Sequence, residues 1–210
     1  MKVCYTALFG NYEELKEPAI ITPGWKYVCY TDQPLKSDVW EIKQLELRNG
    51  ATPQKLARCY KIKEFAEWEQ SIWIDASFVI NTDLNAWWEK YFKKGFSAPK
   101  HPLRNCIYDE GKHCMRIKRG AEGIEKQLTE YKSLGIPKKN GLITSGLLMR
   151  ENTPEVIALC KEWWTEMSTQ SIRDQIAFGK ASLNANCVYT YPWDYRESNY
   201  FIYKKHYHLR

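Results

Sequence analysis

The stretch SIWIDASFVI, residues 71–80, constrains the fold of this chain most. An apolar, β-type run, Ile72-Trp73-Ile74, stops at Asp75, and the small residues Ala76 and Ser77 follow before Phe78-Val79-Ile80 resumes the hydrophobic pattern. This pattern predicts a buried strand with a carboxylate at its tip. Ligands of α/β sheets bind at the carboxyl ends of the strands, so an acid there is placed to hold a metal or a sugar. A turn or cap aspartate between two strand pieces reads the same. The remaining residues have to separate the two.

The chain on either side alternates strands and helices. Residues 3–9 read as a first strand, closed by the turn signal Gly10-Asn11, and Trp25–Thr31 reads as a second that ends at Asp32. Residues 40–45 give a third. From 53 to 67 the apolar period changes to that of a helix, with Thr52 as its cap and Pro53 in its first turn. Lys55, Arg58 and Lys61 fall on neighbouring turns of it, as a solvated basic face or as the border of a phosphate site. Further helices are expected at 84–93, 120–134, 154–167 and 173–183. Strands are expected at Phe96–Pro99, at 141–150 with an interruption at Ser145-Gly146, and at Val188–Tyr191. Residues 101–119 show little periodicity and read as an irregular loop of functional character. Val188–Tyr191 reads as the last strand, with an aromatic, basic tail behind it. No repeat or linker is visible, so residues 1–210 are expected to form one domain, with further domains beyond Arg210 left open.

Composition excludes several functions. The net charge of +6 comes from scattered lysines and arginines, not from the concentrated stripe that nucleic-acid binding needs, so no nucleic acid is expected. No apolar run reaches the roughly 18 residues that span a bilayer, and no signal peptide precedes the first strand. Seven cysteines without a CxxC pair argue against a zinc knuckle or a disulfide framework, and for a reducing, cytoplasmic setting. Nine tryptophans and 14 tyrosines favour a carbohydrate or nucleotide ligand, because such rings stack on sugars and bases.

The polar residues collect at predicted strand ends, and this layout fits transfer from a nucleotide-activated donor. A leaving diphosphate needs its growing charge neutralised, by a divalent metal on carboxylates or by positioned cations. Asp75 is the carboxylate best placed for this, and Lys55 and Arg58 are the best cations.

Taken in order, YTALFGNYEEL, WKYVCYTD, KLARCYKIKEF, SIWIDASFVI, KHPLRNCIYDEG, GLITSGLLMR and SIRDQIAF resemble a family of GT-A-type glycosyltransferase domains, over nearly the whole chain. They are especially similar to the N-terminal domain of a multidomain glycosyltransferase of chlorella viruses. The resemblance implies a single Rossmann-like α/β domain with a mixed, mostly parallel sheet flanked by helices. It implies a donor site at Thr6, Ala7, Leu8, Phe9, Tyr12 and Asp32, with Ser145 beneath the donor sugar. Asp75-Ala76-Ser77 takes the place of the family's DxD motif, where Ser77 lacks the second carboxylate. Mn²⁺ or Mg²⁺ would then be held by Asp75 and Ser77 with help from His206 or His208; a solvated tail is the other reading of that histidine pair. Asp174, in a motif like the family's DQ element, is expected as the carboxylate base of an inverting transfer, or as an acid that stabilises a helix dipole. Asp109 is the second choice for the base. His101, Arg104 and Glu110 are expected at the acceptor, although an ion-paired surface loop would read alike.

The resulting expectation is transfer of a hexose or deoxyhexose, glucose or rhamnose, from a UDP-linked or similar nucleoside-diphosphate sugar to a glycan or glycoprotein acceptor. For a viral protein the setting would be the host cytoplasm. A nucleotidyltransferase would carry a Gly-rich, basic loop after its first strand, and Leu8-Phe9-Gly10-Asn11-Tyr12 has one glycine and no basic residue. A binding module without chemistry is the third reading, kept open by the incomplete DxD.

Overall fold

A computed structural model describes residues 1–11, 13–46, 52–63, 67–118 and 120–204. In chain order the elements are β1 (Lys2–Leu8), β2 (Trp25–Thr31), β3 (Glu41–Gln44), α1 (Pro53–Ile62), β4 (Gln70–Ile74), β5 (Phe78–Ile80), α2 (Leu84–Tyr91), β6 (Phe96–Pro99), α3 (Ile107–Arg116), α4 (Ile124–Ser133), β7 (Leu147–Glu151), α5 (Pro154–Thr169), α6 (Asp174–Ala181), β8 (Val188–Tyr191) and β9 (Phe201–Tyr203).

β1 owes its central place to a sequence that is apolar on both faces. Val3, Tyr5 and Ala7 pack into one hydrophobic cluster and Cys4 and Leu8 into another, the period-two alternation of a strand covered on both sides. The sheet runs β3-β2-β1-β4-β7-β6-β8. β1 lies parallel to β2 and β4, and β2 to β3, whereas β7 runs antiparallel to both β4 and β6. One face is covered through Ile62 of α1, Leu159 and Trp163 of α5 and Phe178 of α6. Leu84 and Trp87 of α2 pack on the other. Seven of the nine tryptophans are buried, so most of the aromatic excess that pointed to stacking on a ligand serves the core.

Two departures from the sequence expectations bear on function. Residues within 101–119 are not all irregular: α3 occupies Ile107–Arg116, with Ile107, Tyr108, Gly111 and Cys114 buried along one side. Their spacing is helical, but the buried side also carries Glu110, most remaining positions are polar, and the N-cap, Cys106, makes no side-chain bond to announce the start. The aromatic tail also contributes a strand, since β9 pairs antiparallel with β5 in a separate two-stranded sheet, Phe78 opposite Tyr203 and Ile80 opposite Phe201. Val188–Tyr191 is therefore not the last strand. The expected strand over 141–150 is regular only from Leu147, and the preceding residues approach the sheet edge as a loop. No helix among the described residues is long and apolar enough to cross a membrane. All seven cysteines are free thiols.

Candidate active site

β1 and β4 run parallel, so both end at the same sheet edge, and β7 begins there because it runs the other way. Ile74, the last residue of β4, pairs with Leu147, the first of β7. This register sets Asp75 beside Ser145-Gly146, and the Asp75 N–H donates to the Gly146 carbonyl at 2.9 Å. The Phe78 N–H closes a turn onto the Asp75 carbonyl at 3.0 Å. A Cβ built on Gly146 would stand 3.2 Å from both Asp75 Oδ2 and Phe78 Cε2, so any other residue would have to push these side chains back by a few tenths of an ångström.

Asp75 is the more open of two linked carboxylates. Its Oδ1 accepts from Trp73 Nε1 at 3.0 Å and faces Lys61 Nζ at 3.2 Å, while 40% of the side chain stays exposed. Lys61, in the last turn of α1, is buried and donates also to Asp174 Oδ2 at 2.8 Å. Ser145 Oγ donates to that same oxygen at 2.8 Å, and the Gln175 N–H donates to Oδ1 at 3.0 Å. Arg58 Nε lies 4.0 Å from Oδ1. Burial alone would raise the Asp174 carboxyl, but the charges of Lys61, Arg58 and Arg173 outweigh it and hold the group far below the usual carboxylate range. A carboxylate with both oxygens engaged and its proton affinity so depressed is a weak proton acceptor. Asp174, expected from the sequence as the base, is bonded to Lys61 and faces Arg58 beside Asp75.

A parallel arrangement holds the arginines. Glu110, buried on α3, accepts from Arg104 Nε at 2.6 Å and from Arg173 Nη2 and Cys114 Sγ at 3.1 and 3.2 Å. Burial raises its carboxyl, and the Cys114 hydrogen bond with the Arg104 charge overcomes that and leaves it lowered. His101 Nδ1 accepts the N–H groups of Leu103 and Arg104 at 3.1 and 3.0 Å. Burial and the Arg104 charge lower its pKa, so the ring is neutral at neutral pH.

Two cavities meet at this point. One, of about 400 Å³, is lined by His101, Arg104, Glu110, Thr144, Ser145 and Asp174, among others. The other, of about 510 Å³, lies between Ala7-Leu8-Phe9 at the end of β1 and Pro53, Gln54 and Ala57 of α1. Arg58, Lys61, Asp75, Ser77 and Arg173 line both. The first cavity carries the side chains of five lysines and arginines against three carboxylates, and the second four against two. Both favour an anionic ligand at the shared residues. Thr144, on the first cavity, keeps a buried Oγ1 with no hydrogen-bond partner among the described residues.

The sequence-derived candidates thus separate. Ala7, Leu8, Phe9, Arg58, Asp75, Ala76 and Ser77 line the second cavity, and Ser145, His101, Arg104, Glu110 and Asp174 line the first. Thr6 is buried within β1 with its Oγ1 unpartnered among the described residues, and it lines neither cavity. Asp32 lines neither. Its two oxygens accept the Gly10 N–H at 3.0 and 3.1 Å, which fixes the turn after β1. That turn needs φ +74° at Gly10 and leaves no room for a Cβ, which would meet Pro53 Cγ at 2.5 Å. Lys55 and Asp109 also stand outside both cavities, and Asp109 is exposed on the outer side of α3. Tyr12, His206 and His208 lie outside the described residues. Arg173, Tyr195, Arg196 and Tyr203 line the site without having been singled out from the sequence, and Lys61, named there only as part of a basic helix face, lines it too. For Lys61 the signal was present, three positions from Arg58 on one helix, but burial is not written in such a spacing.

Among the described residues no three His, Cys, Asp or Glu side chains stand together as a metal cluster. Asp75 offers one open carboxylate edge with Ser77 beside it on both cavities. The Lys204 N–H donates to the Ser77 carbonyl at 2.8 Å, so the chain reaches residue 204 next to this motif.

Residues 38–187 match the family described as TOD1/MUCI70, glycosyltransferase-like domain. No curated protein matches the chain. Among solved structures, the apo form of the bifunctional glycosyltransferase WbbM resembles it with a TM-score of 0.54 at 12% identity, over 90% of this chain and 38% of that one. The chain therefore spans less than two-fifths of that enzyme's length. The galactosyltransferase LgtC, in complex with donor and acceptor sugar analogues, aligns over 90% of this chain and 73% of its own at 10% identity, with a TM-score of 0.47. The likeness to WbbM shows the fold, that of a GT-A glycosyltransferase domain with a mostly parallel sheet flanked by helices.

Proposed function

We propose, for a chain that belongs to the TOD1/MUCI70 glycosyltransferase-like family, transfer of a hexose or deoxyhexose from a nucleoside-diphosphate sugar to a glycan hydroxyl. UDP-glucose and UDP-rhamnose are the donors to test first. The observation that carries this reading is the junction of the two cavities at Asp75, where Lys61, Arg58 and Arg173 converge. The nucleoside occupies the second cavity, against Ala7-Leu8-Phe9. The diphosphate bridges the junction, and the sugar enters the first cavity over Ser145-Gly146. As the glycosidic bond to the diphosphate breaks, charge grows on the departing oxygen, and cations already fixed in place by Asp174 and Glu110 stabilise it without reorganising. Asp174 thus acts as a positioning residue, through Lys61 and Arg58.

A divalent metal, Mn²⁺ or Mg²⁺, would be held by Asp75 with Ser77 and would add Lewis-acid neutralisation of the diphosphate. His206 or His208 would be the third protein ligand. His206 lies two residues beyond Lys204, a reach of at most about 7 Å from a residue bonded to Ser77, and imidazole favours Mn²⁺ over Mg²⁺.

Titration of the Asp75→Ala variant with UDP-glucose and UDP-rhamnose, with and without Mn²⁺, tests the assignment. The wild type should bind more tightly with Mn²⁺, and the variant should lose that increment. An unchanged Mn²⁺ increment in the variant would remove Asp75 from the metal site. Binding without turnover on any glycan would favour a module that has lost its chemistry.

A further inference from the structure

We propose that Tyr195 and Tyr203 form an aromatic platform for the acceptor, on which the C–H face of a pyranose ring rests while its hydroxyls reach His101 and Arg104 in the same cavity. This rests on the glycosyl-transfer reading above and deepens it, since it defines the acceptor as a pyranose with one apolar face.

The two rings lie 5.3 Å apart, centroid to centroid, tilted by 59°. Each packs on Phe78, at 5.8 Å for Tyr195 and 5.6 Å for Tyr203. Phe78 is buried, whereas Tyr203 keeps 38% of its surface exposed and Tyr195 is half-buried; both line the 400 Å³ cavity. Most other large aromatics of the chain are spent on the core. A pair left half-covered at a polar cleft presents what a sugar needs, since pyranose rings carry C–H groups on one face and hydroxyls at the rim.

The rest of the cavity complements the platform. His101 is held with Nδ1 on the Leu103 and Arg104 N–H groups and Nε2 3.1 Å from Arg104 Nη2, and Arg104, steadied by Glu110, has further guanidinium N–H groups to offer a hydroxyl. Both tyrosines are pre-positioned. Tyr203 sits on β9 in register with Phe78, and the next residue is bonded to Ser77. Tyr195 lies within a turn clamped by Asp194 and Arg196, whose Nε stands 2.9 and 3.0 Å from the two carboxylate oxygens. The contact with Phe78 fixes the platform beside Ser77 and Gly146, next to the place assigned to the donor sugar.

Saturation-transfer NMR with the methyl pyranosides of glucose, galactose, xylose and rhamnose, with UDP and Mn²⁺ present, tests this on the wild type and four variants. At least one glycoside should bind the wild type, with the strongest transfer to ring protons of one face. Tyr195→Ala and Tyr203→Ala should each weaken it about tenfold, and Tyr195→Phe and Tyr203→Phe should retain it. UDP-glucose affinity, measured in parallel, should be the same in all of them. Unchanged glycoside binding in both alanine variants overturns the platform, as does a donor-binding wild type that takes none of the glycosides. A parallel loss of UDP-glucose affinity in the alanine variants overturns it too, because the rings would then serve the donor. A wild type that binds no nucleoside-diphosphate sugar overturns the transfer reading itself.

Discussion

Asp174 is tied to its neighbours, since Lys61, Ser145 and the Gln175 amide fill its oxygens and Lys61 links it to Asp75. Removing the charge leaves Lys61 buried with half its pairing, and breaking a buried pair of this kind costs about 3 kcal/mol or more. Asp174→Asn should therefore lower Tm by roughly 6–12 °C in a domain of this size and weaken donor binding at the same time. A variant with full stability and donor affinity but no turnover would restore the base role. The linkage to pH has a definite sign. The folded pKa lies below the unfolded value of about 3.9, so this stabilisation is complete above that value. Below about pH 4 the unfolded chain takes up the proton first, and the advantage of wild type over Asp174→Asn should shrink. A gap unchanged from pH 7 to pH 3 in thermal melts would contradict the assignment. Asp75 was legible in the sequence because an apolar run that ends in an acid names a strand tip. Glu110 and Asp109 could not be sorted that way: adjacent residues on a helix point about 100° apart, and in a segment without a visible period neither face could be assigned.

At the scale of elements, β9 brings residue 204 to the edge of the site. The Lys204 N–H bonds to the Ser77 carbonyl and the Asn81 N–H to the Tyr200 carbonyl, both at 2.8 Å. These bonds bracket the Val79–Ile202 pair, which by the alternation of antiparallel ladders is itself a hydrogen-bonded pair. Ile202→Pro removes one of its donors. The main sheet does not include β9, so Tm should fall by only a few degrees, whereas Mn²⁺-dependent donor affinity should drop at least tenfold as the Lys204 backbone leaves Ser77. Unimpaired affinity in that variant, measured by titration, would separate the C-terminal segment from the site. The main helices and strands were readable because their apolar periods are long and their caps regular, as with Thr153 and Pro154 before α5. The reversed direction of β7 was not, because alternation reports burial and not polarity. Nor was β9, three residues whose partner lies over 120 positions away.

For the whole molecule, the net charge of +6 is unremarkable, but its arrangement is not even: the residues shared by the two cavities are three cations, one carboxylate and a serine. Attraction of a diphosphate to such a junction is partly screened, the Debye length falling to about 3 Å at 1 M salt. Donor affinity should fall several-fold between low salt and about 0.5 M NaCl, while Tm, set by buried pairs and the core, should move little. An affinity indifferent to salt would argue for nucleoside contacts alone. On the proposed reading, the edge formed by β1, β4 and β7 holds a nucleoside-diphosphate sugar. Calorimetric titration of the wild-type protein with UDP, UDP-glucose and UDP-rhamnose in the presence of Mn²⁺ tests it most directly. Saturable one-to-one binding, with its Mn²⁺-dependent increment lost on Asp75→Ala and reduced on Asp174→Asn, is the predicted result. No measurable affinity for any nucleoside diphosphate or its sugar would contradict it.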